Sequence, residues 1–205
     1  MIGGLRHGEY RRADGGLIPS THLLEFEEFA KPTENCKILD LGCGLGRNYI
    51  ELAKKGLQVY GAEINPEAAK QAQVEVKIEN IRKELALPAR LVVSDGNSLP
   101  FPDKTFDAIY SDCLHAGDIK NWNEAFRTIK DSGAIYIKLL YQFDFYRDEY
   151  KRFNRGTPVE LVKSWFNVPG FDVEMREGVH NRDEYKARTH ETKYLIVKMR
   201  KRPDQ

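Results

Sequence analysis

The spacing of apolar residues changes period repeatedly along the chain, and each change predicts an element. "STHLLEFEEFA" (20–30) carries leucines and phenylalanines at helical spacing, with Ser20 or Thr21 as cap, and "KPTEN" breaks it. "CKILDLG" is a short continuous apolar run, the pattern of a strand buried on both faces. "RNYIELAKKG" returns to helical spacing and stops at Gly56. "LQVYGAE" reads as a strand, and "NPEAAKQAQVEVKIENIRKELAL" as a long helix with Asn65 as cap and Pro66 in its first turn. "ARLVVSD" and "TFDAIYSD" are strands, "IKNWNEAFRTIKDSG" a helix ending at Gly133, and "AIYIKLL" a strand. "TPVELVKSWFNVPG" is a helix with Thr157 as cap and Pro158 just inside. "FDVEMRE" and "KYLIVKMR" close the chain as alternating strands joined by a loop over 178–192. Strand and helix in alternation predict an α/β fold, a mostly parallel sheet covered on both faces. With no helix between them, the last two of the seven strands pair as an antiparallel hairpin.

Composition narrows the picture modestly. The chain of 205 residues is long enough for one domain with a full core. Residues 1–30 read as an N-terminal arm and helix, a lid over a single domain spanning 31–205. Lys and Arg number 32 against 31 Asp and Glu, which gives no general electrostatic reason to expect nucleic acid or an anionic membrane. Cys36, Cys43 and Cys113 match no zinc or redox spacing, and their odd number argues against a disulfide framework. A reducing, cytoplasmic setting is expected. "MIGGLRHGEYRRADGG" has no apolar core of a signal peptide, and no run is long enough to span a bilayer.

The chemistry concentrates at "ILDLGCGLGRN". In an open parallel sheet, ligands bind beyond the carboxyl ends of the strands. Gly42, Gly44 and Gly46 allow a tight turn there and a close approach of backbone to ligand. A dinucleotide fingerprint placed on Gly42 and Gly44 needs glycine at 47, where the chain has Arg47. The pattern from Asp40 to Gly46 is D-x-G-x-G-x-G. It resembles motif I of the class I S-adenosylmethionine-dependent methyltransferases, which have a Rossmann-like sheet. Glu63 in "VYGAEINP" and Asp95 in "LVVSDGNSLPFPDKTFDAIYSD" resemble the acidic residues that end the second and third strands of that family. The likeness covers roughly 37–198, and "LPFPDKTFDAIYS" is especially similar to its small-molecule branch.

The resemblance implies S-adenosylmethionine as cofactor, and the residue types suit it. The molecule has no phosphates and needs acceptors. Glu63 would accept from both ribose hydroxyls, and Asp95 from the adenine amino group with the Gly96 N–H beside the ring. Asp40 would supply negative charge near the amino-acid end, with Gly42 and Gly44 against the methionine portion. Ser111 and Asp112 would line the side where the methyl group emerges. Cys43, Gly46, Asn48, Ile64 and Asn97 complete the expected cofactor site.

The acceptor is less legible. "SDCLHAGD" (111–118) lacks the D/N-P-P-Y tetrad of many amino-methylating enzymes. His115 stands where related small-molecule enzymes often carry a histidine, so it is the candidate general base; the alternative is a packing residue at the start of the next helix. "LLYQFDFYRDEYKRFNRG" is dense in aromatics, and Tyr141 and Tyr146 are read as substrate contacts. Tyr10, Arg11, Asp112 and Arg182 are placed with them, and converging arginines would suit an anionic acceptor. His180 and His190 lack metal-ligand spacing, so no metal is expected. The reading is a methyltransferase acting on a small-molecule acceptor, anionic or aromatic. Two alternatives stay open: a methyltransferase acting on RNA or protein through the basic chain ends, and a non-catalytic cofactor-binding module.

Overall fold

The computed structural model describes residues 11–115, 122–143, 157–183 and 189–203; the side chains of Cys113, His115, 142–143, 180–183 and 189–192 fall outside the description. The elements are α1 (Leu23–Ala30), β1 (Lys37–Leu41), α2 (Arg47–Lys54), β2 (Gln58–Glu63), α3 (Pro66–Lys83), β3 (Leu91–Val93), β4 (Phe106–His115), α4 (Asn123–Thr128), β5 (Ile129–Phe143), α5 (Val159–Ser164), β6 (Phe171–Asp183) and β7 (Thr189–Lys201). One seven-stranded sheet has the order β3-β2-β1-β4-β5-β7-β6. β1 runs parallel to β2 and β4, β4 parallel to β5, and β7 antiparallel to β5 and β6. The strand order therefore reverses between β1 and β4, and in open α/β sheets ligands bind beyond the carboxyl ends of the strands at such a point.

Each face of the sheet carries its own core. Leu23 and Phe26 of α1, Tyr49 and Leu52 of α2 and Val76 of α3 pack with Ile38, Val59 and Tyr136. On the other face Ala125 of α4 and Val162 of α5 pack with Leu39, Ile109, Ile137 and Val197. Asn65 caps α3 as its sequence foretells: its side chain accepts from the N–H groups of Glu67 and Ala68, and Pro66 starts the helix. Glu25 fastens α1 to the sheet by accepting from Tyr136 Oη (2.8 Å) and Arg176 Nη2 (3.0 Å), with Lys198 Nζ at 3.0 Å. Burial disfavours the Glu25 charge, but these donors outweigh it and hold the carboxyl at about 2.

Several boundaries depart from the sequence expectation. α1 begins after His22 rather than after Ser20, because the Ser20 hydroxyl accepts from the His22 N–H and turns the chain before the helix. α4 stops at Thr128, not Gly133. Thr128 Oγ1 donates back to the Glu124 carbonyl, and Ile129 already pairs with Phe106. A Cβ on Gly133 would lie 2.7 Å from Ile129 Cγ1 and 2.8 Å from the Lys130 carbonyl oxygen, so this glycine permits a tight bend inside β5. Pro158, not Thr157, is the N-cap of α5; the Thr157 N–H donates to the Tyr141 carbonyl instead. The expected loop over 178–192 is largely strand, since the β6–β7 ladder runs out to the Asp183–Thr189 pair. Among the described residues no helix is long and apolar enough to cross a membrane.

Candidate functional site

β1 ends on the glycine loop. Gly42, Gly44 and Gly46 take φ of 74°, 54° and 81°, the left-handed region that side chains avoid. The Gly42 and Cys43 N–H groups both donate to the Ala62 carbonyl, folding the loop onto β2 (2.8 and 3.2 Å). A Cβ on Gly42 would lie 2.5 Å from Leu114 Cδ2, and one on Gly46 3.3 Å from Ala72 Cβ. One on Gly44 would meet nothing within 4 Å. The middle glycine therefore borders open space, and the core does not require its bareness. Cys43 is buried, its thiol pushed well up by burial; it lies against Gly61, where a Cβ would come 2.9 Å from its Sγ. A contact from Cys43 to a ligand is left to its backbone.

Glu63 ends β2 beside this loop. Its Oε2 accepts from the Gly44 N–H and its Oε1 from the Asn65 N–H, both at 2.9 Å. Each oxygen keeps acceptor capacity. The Ser94 N–H donates to the Glu63 carbonyl at 3.0 Å, which brings the end of β3 alongside. There Asp95 Oδ1 accepts from the backbone N–H (2.9 Å) and side-chain amide (2.7 Å) of Asn97, a tight turn with Gly96 at its centre. Ile64, next to Glu63, is 63% exposed although apolar.

Beneath the loop lies a buried polar cluster. Asp40 on β1 is 1% exposed, and its Oδ2 has no hydrogen-bond partner. Burial raises its carboxyl to about 7; Asp112 and Glu63 push the same way, and Arg47 and the Tyr49 N–H oppose them. Asp112 on β4 accepts from Arg47 Nη2 at 2.8 Å, with Lys138 Nζ of β5 at 3.8 Å. Lys138 also sits 4.9 Å above the Tyr194 ring, which meets the His22 ring at 5.7 Å. Burial and then the Lys138 charge push the His22 imidazole down. Arg47 and Lys138 were not among the expected site residues. Arg47 stands directly after the last loop glycine, and Lys138 is a lone charge inside the apolar run "AIYIKLL", a signal that a buried partner exists.

Other expected contacts are engaged elsewhere. Ser111 is fully buried and donates to the Leu41 carbonyl (2.9 Å), tying β4 to β1. Asn48 Oδ1 accepts from the Ser20 N–H (2.8 Å) and so anchors the N-terminal segment. Arg11, read as a substrate residue, makes a two-point pair with the buried Glu75 of α3 (3.1 and 2.5 Å). Tyr141 donates to Glu177 Oε2 at 3.2 Å. The backbone of His115 ends β4 opposite Leu140. Tyr10 and Tyr146, and the side chains of His115 and Arg182, lie outside the described residues.

The site thus offers a left-handed glycine turn bordering open space, a two-oxygen acceptor one strand away and an orphaned buried carboxylate oxygen. These suit a zwitterionic nucleoside without phosphates. A family model described as a methyltransferase domain matches residues 38–133. The chain is 29% identical over 140 residues to sterol 24-C-methyltransferase ERG6B of Gibberella zeae, covering 66% of this chain and 35% of that one. It is 31% identical over 143 residues to ajmaline N-methyltransferase of Rauvolfia serpentina, covering 67% and 45%. It therefore spans less than half the length of these curated relatives. Among solved structures, YcgJ of Bacillus subtilis superposes with a TM-score of 0.69 at 15% identity, covering 89% of this chain and 98% of that one, a likeness of fold.

Proposed function

We propose that this chain, a member of the class I S-adenosylmethionine-dependent methyltransferases by its domain match and fold, transfers the methyl group of that cofactor to a small-molecule acceptor. The observation that carries the reading is the Glu63 carboxylate, held by the Gly44 and Asn65 N–H groups at the end of β2 with acceptor capacity left on both oxygens. That is the geometry a ribose diol requires. When bound, S-adenosylmethionine supplies a methyl group on a positively charged sulfur. The residues present fit it: Glu63 receives the ribose hydroxyls, and the orphaned Asp40 Oδ2 faces the need of an ammonium. The turn at Asp95, Gly96 and Asn97 takes the adenine edge, with Ile64 as an apolar shelf. The segment 11–30 acts as the cover of the site, fastened through Arg11, Ser20 and Glu25.

The acceptor reacts near the end of β4, where His115 takes its proton if the nucleophile is a hydroxyl. Two relatives, one named for a sterol and one for an alkaloid, support a bulky and largely apolar small molecule. With Arg11 committed to Glu75, the case for an anionic acceptor is weaker than for an aromatic or uncharged one.

Titration calorimetry with S-adenosylmethionine, S-adenosylhomocysteine and NADH tests the cofactor reading: the first two are expected to bind and NADH is not. Binding of NADH alone would overturn it. Glu63→Ala should weaken S-adenosylhomocysteine by about 1.5–3 kcal/mol, because a charged acceptor of two hydroxyls is lost; unchanged affinity would sink the ribose role. His115→Ala should lower turnover about a hundredfold and spare cofactor affinity; a fully active variant would make His115 a packing residue.

A further inference from the structure

A cleft of about 530 Å³ opens on the α5 face of the sheet, apart from the glycine loop. Tyr141 of β5, Glu177 and Val179 of β6 and Lys193 of β7 form its floor, and Pro158 and Val159 at the start of α5 form its wall. Its size falls within the range that holds a small organic ligand.

The ladder brings this cleft to the same carboxyl edge of the sheet as the end of β4, on the face that Tyr141 shares with α5. His115, the last residue of β4, stands opposite Leu140, and Tyr141 follows directly. From there the order β5-β7-β6 carries the floor sideways. At about 4.8 Å between neighbouring strands, the cleft runs roughly 5–15 Å away from the end of β4. A ligand lying along it and turning over the carboxyl edge would bring one end to the end of β4.

The lining decides the ligand's character. Val179 is 50% exposed and Val159 half-buried, so apolar surface faces the opening. The carboxylate on the floor is already answered: Glu177 Oε1 lies 2.7 Å from Lys163 Nζ, its Oε2 accepts from the Tyr141 hydroxyl, and the Lys193 cation of the floor also favours its charged form. The Lys163 ammonium holds the Glu177 carboxyl below its usual range, so it stays ionised and paired. A compensated carboxylate makes no demand for a cationic ligand, while the tyrosine–carboxylate pair can still meet a hydroxyl.

We propose that this cleft holds the apolar body of an elongated, uncharged acceptor whose reacting end lies at the carboxyl end of β4. The inference rests on the methyltransferase reading and deepens it. Binding energy gathered along the cleft, away from the reacting atom, positions that atom for transfer.

The test uses 4-alkylphenols from methyl to octyl as probes, titrated into the full chain with and without S-adenosylhomocysteine. Affinity should rise with chain length, up to about fourfold per methylene, until the cleft is filled. Val179→Asp and, separately, Val159→Asp should flatten that dependence, since each sets a charge against the alkyl chain. Both positions are partly exposed, so the fold tolerates them, and S-adenosylhomocysteine affinity should be unchanged in both variants. A length dependence that survives both substitutions, or none in the unsubstituted chain, overturns the assignment. If S-adenosylhomocysteine fails to bind the unsubstituted chain, the methyltransferase reading falls instead, and the phenol series without nucleoside still decides what the cleft binds.

Discussion

The Gly44→Val variant is expected to fold and to lose S-adenosylmethionine. The open space at Gly44 means that the added side chain meets no atom of the protein within 4 Å at its first carbon. The backbone objects more than the packing does, since φ of 54° is left-handed and a β-branched residue there costs roughly 1–2 kcal/mol. That loss lowers the melting temperature by several degrees without unfolding the chain. The ligand, however, must occupy the space that the side chain now fills. The expected calorimetric result is no detectable heat at a hundred times the unsubstituted Kd or more. The contrast is Gly61→Val: Leu91 and the Cys43 sulfur crowd that position, so the substitution should destabilise the fold itself. Unsubstituted affinity in Gly44→Val would mean that the cofactor does not lie against the loop, and the site would have to be sought elsewhere.

Asp40→Asn should raise stability and weaken the cofactor together. Folding buries a carboxyl whose pKa rises to about 7, through desolvation first and then the nearby Asp112 charge. Between the ordinary carboxylate value near 4 and that raised value, the folded chain keeps a proton that the unfolded chain has released. Stability from this group is therefore fully present in acid, falls as pH rises through the window, and is flat above about 7. At pH 8 an uncharged amide should remove a penalty of up to about 4 kcal/mol, three pKa units at 1.36 kcal/mol each. The variant should melt higher than the unsubstituted chain at pH 8, and little differently at pH 4.

Binding moves the other way. An ammonium needs the ionised carboxylate, and Asp40 Oδ2 is left without a partner until one arrives. Affinity of the unsubstituted chain for S-adenosylhomocysteine should improve about tenfold per pH unit below 7 and then level off, because binding there releases a proton. In Asp40→Asn the profile should be flat from pH 5 to 8, and the affinity at pH 8 about a hundredfold weaker. A variant that binds as tightly as the unsubstituted chain would show that Asp40 serves the fold alone. Calorimetry in two buffers of different ionisation enthalpy reads the proton directly.

Much of this site is legible in the residues alone. The tight turn at Gly42–Gly46, the Asn65–Pro66 helix start and the closing hairpin all follow from local rules, while Glu63 is marked by the family resemblance. A φ sign, a cap or a two-residue alternation is decided by atoms a few positions apart, so the sequence carries it whole. Boundaries fail where a distant contact overrides a local preference. α4 ends early because Ile129 pairs with Phe106, and 178–183 and 189–192, expected as loop, are strand because they pair with each other and extend the β6–β7 ladder. The partners of buried polar groups are the least readable. Arg47 meets Asp112 across 65 residues, and the Ser111 hydroxyl meets the Leu41 carbonyl across 70. The cleft over Tyr141 and Val179 is a property of no single segment. A donor's partner in the interior is set by which strands the sheet places side by side, and that order is the outcome of burying both faces at once. The chain by itself determined what kind of ligand turn it makes; only the assembled sheet decided which charges stand beneath it and where an acceptor has room to lie.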